Sequence, residues 1–197
     1  MRIPTILLSA LLLCACDPAA DNGAADAVRL PAPFTEAPIV ATPPELTEAA
    51  QAKVDIIVEA AKRDRLRAFS RLAEKEPGFS SNFADEAHYT HWDLLRRTGV
   101  DPLAKVQNVL AEPHAAVQVG DETWFVWPDL AARDPEELLP EKLSFRDRAR
   151  LLELVGEPGL DRIRAGEPYP GFRVAVADDG RWIYFLHETG ETSETIE

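Results

Sequence analysis

Both cysteines of this chain, Cys14 and Cys16, stand within its first sixteen residues, and no thiol follows them. Whatever folds downstream must close on hydrophobic burial and hydrogen bonds alone. It has no disulfide, no cysteine metal site and no thiol nucleophile to draw on. Some 140 residues bury roughly two thirds of their surface, which suffices for one self-sustaining core. The same two cysteines end an apolar run, Ile3 to Leu13, interrupted by Pro4, Thr5 and Ser9 and preceded by Met1-Arg2. A permanent helical span needs roughly 20 apolar residues. A charged start, a short apolar core and small residues at its end instead read as a secretory signal peptide.

Leu13-Cys14-Ala15-Cys16 resembles a bacterial lipobox, with Cys14 at a place where a smaller residue is usual. The resemblance implies that residues 1–15 are removed and that Cys16 is alkylated and acylated, palmitate being one such chain. The mature protein is then a lipoprotein on the periplasmic side of a bacterial membrane. One acyl chain holds a protein marginally, and two or three hold it durably, at about 0.8 kcal/mol per buried CH₂. An ordinary signal peptide cut near Ala15 would leave Cys16 as an unpaired thiol in an oxidising compartment, which is a liability. Asp17 resembles the residue that retains lipoproteins in the inner membrane of enteric bacteria.

The formal charge is −13, but its distribution says more than its total. Residues 46–187 hold 25 acids and 19 bases, and the last ten residues add four glutamates and no base. A mildly acidic body is a poor surface for nucleic acid or for anionic headgroups, so lipid must do the anchoring. No later apolar run approaches 18 residues, so no second membrane segment is expected.

Residues 16–45 are rich in Ala, Pro and Asp, with five prolines from Pro31 to Pro44. This composition predicts an extended tether. Residues 188–197 read as an acidic disordered tail. Between them, residues 46–187 form one domain. Thr47 is placed as an N-cap before Val54, Ile57, Val58 and Ala61, which recur at helical spacing. A second helix is expected from Asp64, with Leu66, Phe69 and Leu72 inward and the bases Lys62, Arg63, Arg65, Arg67 and Arg71 as a solvated face. A third runs from Glu86 to Arg97. Asp101-Pro102 opens a fourth, an N-cap followed by proline in the first turn.

The period then changes. "AAVQVGDETWFVWP" predicts two strands turning at Gly120-Asp121. Ser144 opens a helix lined by Phe145, Ala149, Leu152 and Val155 and closed by Gly156. A short helix follows near Leu160 to Ala165. "GFRVAVADDGRWIYFLHE" predicts a hairpin around Asp178-Asp179-Gly180, with Trp182 and Tyr184 on one face of its second strand and Ile183 and Phe185 on the other. The fold class expected is α+β: N-terminal helices packed with a small antiparallel sheet made of two hairpins.

Chemistry is sparsely signalled. His88 and His91 lie three apart on the third helix and could share a metal ion given another ligand. A binding surface has four candidates, Trp124, Trp127, Tyr169 and Trp182, because aromatic residues on both faces of a strand either fill a sandwich or meet a partner. No cofactor is indicated. No Gly-x-Ser-x-Gly, phosphate loop or dinucleotide fingerprint occurs.

"SSNFADE", His91-Trp92, "TGVDPL", "FVWPDLA" and "GFRVAVADDGRWIYFL" together resemble a group of small proteobacterial envelope proteins, over roughly residues 64–187. The chain departs from that group after Asn82-Phe83, where glycines are more frequent, and after its last strand. The resemblance implies a single folded domain and carries no activity. The expected role is that of a non-enzymatic binding module, its partner an envelope protein or cell-wall component. The alternative is a metal- or carboxylate-dependent hydrolase of envelope material that uses His88 and His91.

Overall fold

The computed structural model describes residues 44–187. Four helices come first: α1 (Glu48–Lys62), α2 (Leu66–Ala73), α3 (His88–Arg97) and α4 (Pro102–Leu110). Strands β1 (Ala115–Val119) and β2 (Glu122–Trp127) follow, then a 3₁₀ turn (Asp129–Ala132) and α5 (Phe145–Arg164). Strands β3 (Arg173–Ala177) and β4 (Trp182–Leu186) end the described chain. The four strands form one antiparallel sheet in the order β1-β2-β3-β4, built from two hairpins joined at β2 and β3. This is the α+β class expected from the sequence.

Local signals account for the helix starts. The Thr47 hydroxyl accepts from Ala50 N at 3.1 Å and donates to Asp178 O at 2.6 Å, so one cap also pins the last hairpin to α1. Asp101 caps α4 with Pro102 just inside it. Gly180 lies where that hairpin crosses the start of α1: its φ is +87°, and a Cβ there would come within 2.8 Å of Ala49 O. Two starts differ from expectation. Asp64 has φ 48° and stands outside α2. The Asn82 side chain accepts from Ala84 N and Glu86 N, which holds "SSNFADE" in a turn and delays α3 to His88.

One face of the sheet packs against α1 to α4. Phe125, Trp127, Val174, Val176, Trp182 and Phe185 meet Ile57, Phe69, Trp92 and Val106 there. At its centre the Trp182 ring lies 4.4 Å from Phe79, 5.4 Å from Phe69 and 6.5 Å from Trp92, in tilted, edge-on and stacked geometries respectively. Glu76 at the end of α2 pairs with Lys53 of α1 and accepts from Trp182 N at 3.2 Å, tying two helices to the start of β4.

The strict alternation expected along β4 does not hold. Val176 pairs with Trp182 and Ala175 with Tyr184, so a bulge passes over Ile183. Ser80 stabilises it from outside, donating its N–H to Ile183 O and accepting from Phe185 N. Trp182 and Phe185 therefore both enter the helix-side core. Tyr184 stands on the other face, 6.3 Å from Trp124.

A second, smaller core holds Leu130, Leu138, Leu143, Leu151, Leu160, Ile163 and Tyr169. It corrects the face expected for α5. Leu151 is buried and Val155 half-buried, whereas Phe145 is 87% exposed, Leu152 41% exposed and Ala149 exposed. The expected break at Gly156 is present: its φ of 67° and ψ of 179° interrupt α5 before Pro158. The two cores are joined by Arg150. Its guanidinium reaches Glu112 at 2.7 Å, Asp129 at 2.7 Å and Asp147 at 3.2 Å, and Arg133 bonds the same two aspartates. Burial works against the Arg150 charge, but the bonds to Asp129 and Glu112 outweigh it and hold the group protonated.

Candidate binding groove

Where α1 meets α2 a groove opens on their outer side. Helical spacing brings Asp55, Ile56, Glu59, Ala60 and Arg63 of the first helix and its exit to one wall. Ala68, Arg71, Leu72 and Lys75 form the other. The cavity between them is about 530 Å³. Ile56, Ala60, Ala68 and Leu72 supply its apolar lining, and the two alanines keep it hollow. Ile56 is 49% exposed although Ile57 beside it is fully buried, so water contacts a large side chain that the core does not use.

The charges of the groove are unevenly satisfied. Asp55 accepts from Gln51 at 2.9 Å, and Glu59 is paired with Lys62 at 2.7 Å. The bond from Lys62 is the main cause of the lowered Glu59 pKa, and Arg63 adds to it. Among the described residues Arg71 and Lys75 have no ion-pair partner. The lining sets Arg63, Arg71 and Lys75 against Asp55 and Glu59, and Glu59 is already paired with Lys62, so its charge balance is weakly positive over an apolar lining. Such a site suits an anionic molecule with an apolar side.

The residues expected from the sequence to bind are arranged differently. Cys16 lies outside the described residues. His88 and His91 do lie a turn apart on α3, but neither lines the groove. His88 Nδ1 is 2.8 Å from Ser81 Oγ, and its ring meets Phe79 edge-on at 4.9 Å. Burial pushes the pKa of His88 down against the opposing pull of Glu74 and Asp85. Burial does the same to His91, with Glu86 opposing and His88 reinforcing. Among the described residues, no group of three or more His, Cys, Asp or Glu is gathered as a metal ion would require. Trp127, Tyr169 and Trp182 are at most 2% exposed, so these three fill cores and present no binding surface. Trp124 is half-buried, its indole N–H donating to Glu122 at 3.1 Å.

The groove is not legible in the sequence, because its bases read there as an ordinary solvated face. One signal was available. "DIIVEA" places Ile56 beside Ile57, one more large apolar residue than the inward face of α1 requires. No helix of the described residues is long and apolar enough to cross a membrane. Compared with protein-family models, curated proteins and solved structures, the chain matches none.

Proposed function

We propose that this protein is a lipid-anchored binding module of the bacterial envelope, whose folded domain captures an acidic, amphipathic protein segment in the groove between α1 and α2. The observation that carries the reading is the groove itself, an apolar hollow of about 530 Å³ flanked by Arg71 and Lys75, which have no ion-pair partner among the described residues. A helix with one apolar stripe and glutamates beside it supplies the complementary surface. The apolar stripe displaces water from Ile56 and Leu72, and the glutamates meet Arg71 and Lys75. Cys16 carries the acyl anchor on the periplasmic side, with Asp17 favouring the inner membrane, and the Ala/Pro/Asp-rich tether of residues 16–45 spaces the domain from it.

Two measurements test the two halves of this reading separately. Mass spectrometry of the protein from a bacterial host should give a chain beginning at an acylated Cys16. Cys16→Ser should carry no acyl chain. A wild-type protein found water-soluble, or cut elsewhere, contradicts the anchor. For the groove, a photo-crosslinking residue at Ile56 of the anchored protein should form adducts with acidic amphipathic segments, identified by sequencing the linked peptide. Arg71→Glu should reduce that yield about tenfold, since each exposed charge contact is worth up to about 1 kcal/mol and reversal replaces attraction with repulsion. Adducts no more frequent than from the same group at Leu94, exposed on α3, contradict it.

A further inference from the structure

The outward face of α5 carries an apolar stripe that no other described residue covers. Phe145, Ala149 and Leu152 recur at i, i+4 and i+7 and so share one side of the helix. Phe145 is 87% exposed and Leu152 41% exposed, and Ala149 between them is exposed too. The helix packs its opposite side, through Leu151, into the second core. A helix that is apolar on both sides has one side left for a partner.

Charge pattern and symmetry identify that partner. Along one flank of the stripe stand Arg146, near its start, and Glu153, near its end. They are seven residues apart, about 10 Å along the axis, which is too far for them to pair with each other within the helix. Both are exposed, and neither has an ion pair among the described residues. A two-fold axis perpendicular to α5 at Ala149 sets a second copy antiparallel to the first. In that arrangement Phe145 of each copy meets Leu152 of the other, and the same flanks face one another. Arg146 then lies against the other copy's Glu153, twice over by symmetry. Ala149 at the axis is small enough to let the two backbones approach. Arg148, on the other flank, faces the Arg148 of the other copy, and as an exposed, long side chain it can turn away from it into water.

We propose that this protein self-associates as an isologous dimer through α5, with Ala149 on the two-fold axis. The contact is short, about three turns of helix, and belongs with weak interfaces. It lies on a different element from the α1–α2 groove, so the dimer and the binding reading stand or fall independently.

Residues 17–197 contain every described residue and no cysteine, which allows a direct test. Ala149→Cys in this chain should form a disulfide-linked dimer on mild oxidation, because only residues on the axis approach within the 4.4–6.8 Å between Cα atoms that a disulfide needs. Leu94→Cys, exposed on α3, should stay monomeric. Sedimentation equilibrium should show a monomer–dimer equilibrium. Arg146→Glu should raise its dissociation constant about tenfold, through two charge contacts replaced by repulsion. The swap Arg146→Glu with Glu153→Arg should restore it, which a merely structural role of either residue would not do. A monomer at every concentration, equal cross-linking at 149 and 94, or failure of the swap to restore association would each overturn the proposal.

Discussion

Trp182→Ala is expected to lower the unfolding free energy by about 3–5 kcal/mol, the cost of deleting a large buried side chain and leaving its cavity. Trp182 has no exposed surface and is packed among Phe69, Phe79 and Trp92, on which α2, α3 and β4 converge. The loss is a large share of the roughly 5–15 kcal/mol that holds a domain together. It should appear as a fall in melting temperature of roughly 10 °C or more. Phe185→Ala should behave alike, because the β4 bulge turns both side chains into one core. Trp182→Phe separates packing from polarity. The indole N–H of Trp182 is buried with no hydrogen-bond acceptor among the described residues, so removing it gives back part of what the smaller ring loses. Melting of Trp182→Ala at the wild-type temperature would show that the last hairpin is peripheral to the core.

The second large effect is expected at Arg150. Replacing it with methionine keeps most of the side-chain volume but leaves Glu112, Asp129 and Asp147 facing one another, with Arg133 alone to neutralise them. The guanidinium side chain is only 16% exposed, so water screens little of that repulsion. Removing one partner of a largely buried charge network costs about 3 kcal/mol. Adding Asp129→Asn to Arg150→Met should recover a measurable part of the loss in denaturant titrations, because it removes one of the stranded charges. A double variant less stable than the single one would mean that Asp129 acts through backbone geometry and that the network is incidental.

These two sites differ in how far the sequence announced them. Thr47, Asp101-Pro102 and the two hairpin turns are local devices, each satisfied within a few residues, and they placed helices and strands correctly. The direction of Trp182 was not local. It depends on Ser80, more than a hundred residues away in the chain, bonding to both sides of Ile183 and fixing a bulge that reverses the expected alternation. The face of α5 was ambiguous for a similar reason. Leu151 and Leu152 are adjacent, two apolar stripes run along the same helix, and only the position of Leu130, Leu138 and Tyr169 decides which is buried. The Arg150 network joins Glu112 just past α4, Asp129 and Arg133 at the 3₁₀ turn and Asp147 of α5, so no short window of sequence contains it. Of the candidate site, the basic residues of the second helix are legible in the sequence, but the hollow between that helix and α1 is not. A groove is a property of the distance between two helices, and Ile56 marks it only once α2 is in place.

If the α1–α2 groove is where this protein binds, a ligand of the complementary chemistry must perturb its lining first. Titration of residues 17–197 with a synthetic helical peptide, leucines along one side and glutamates beside them, tests it by nuclear magnetic resonance. Chemical-shift changes should concentrate at Ile56, Ala60, Ala68 and Leu72, weaken with added salt, and vanish in Arg71→Glu/Lys75→Glu. Saturating changes centred elsewhere, or no response at millimolar peptide, would contradict it.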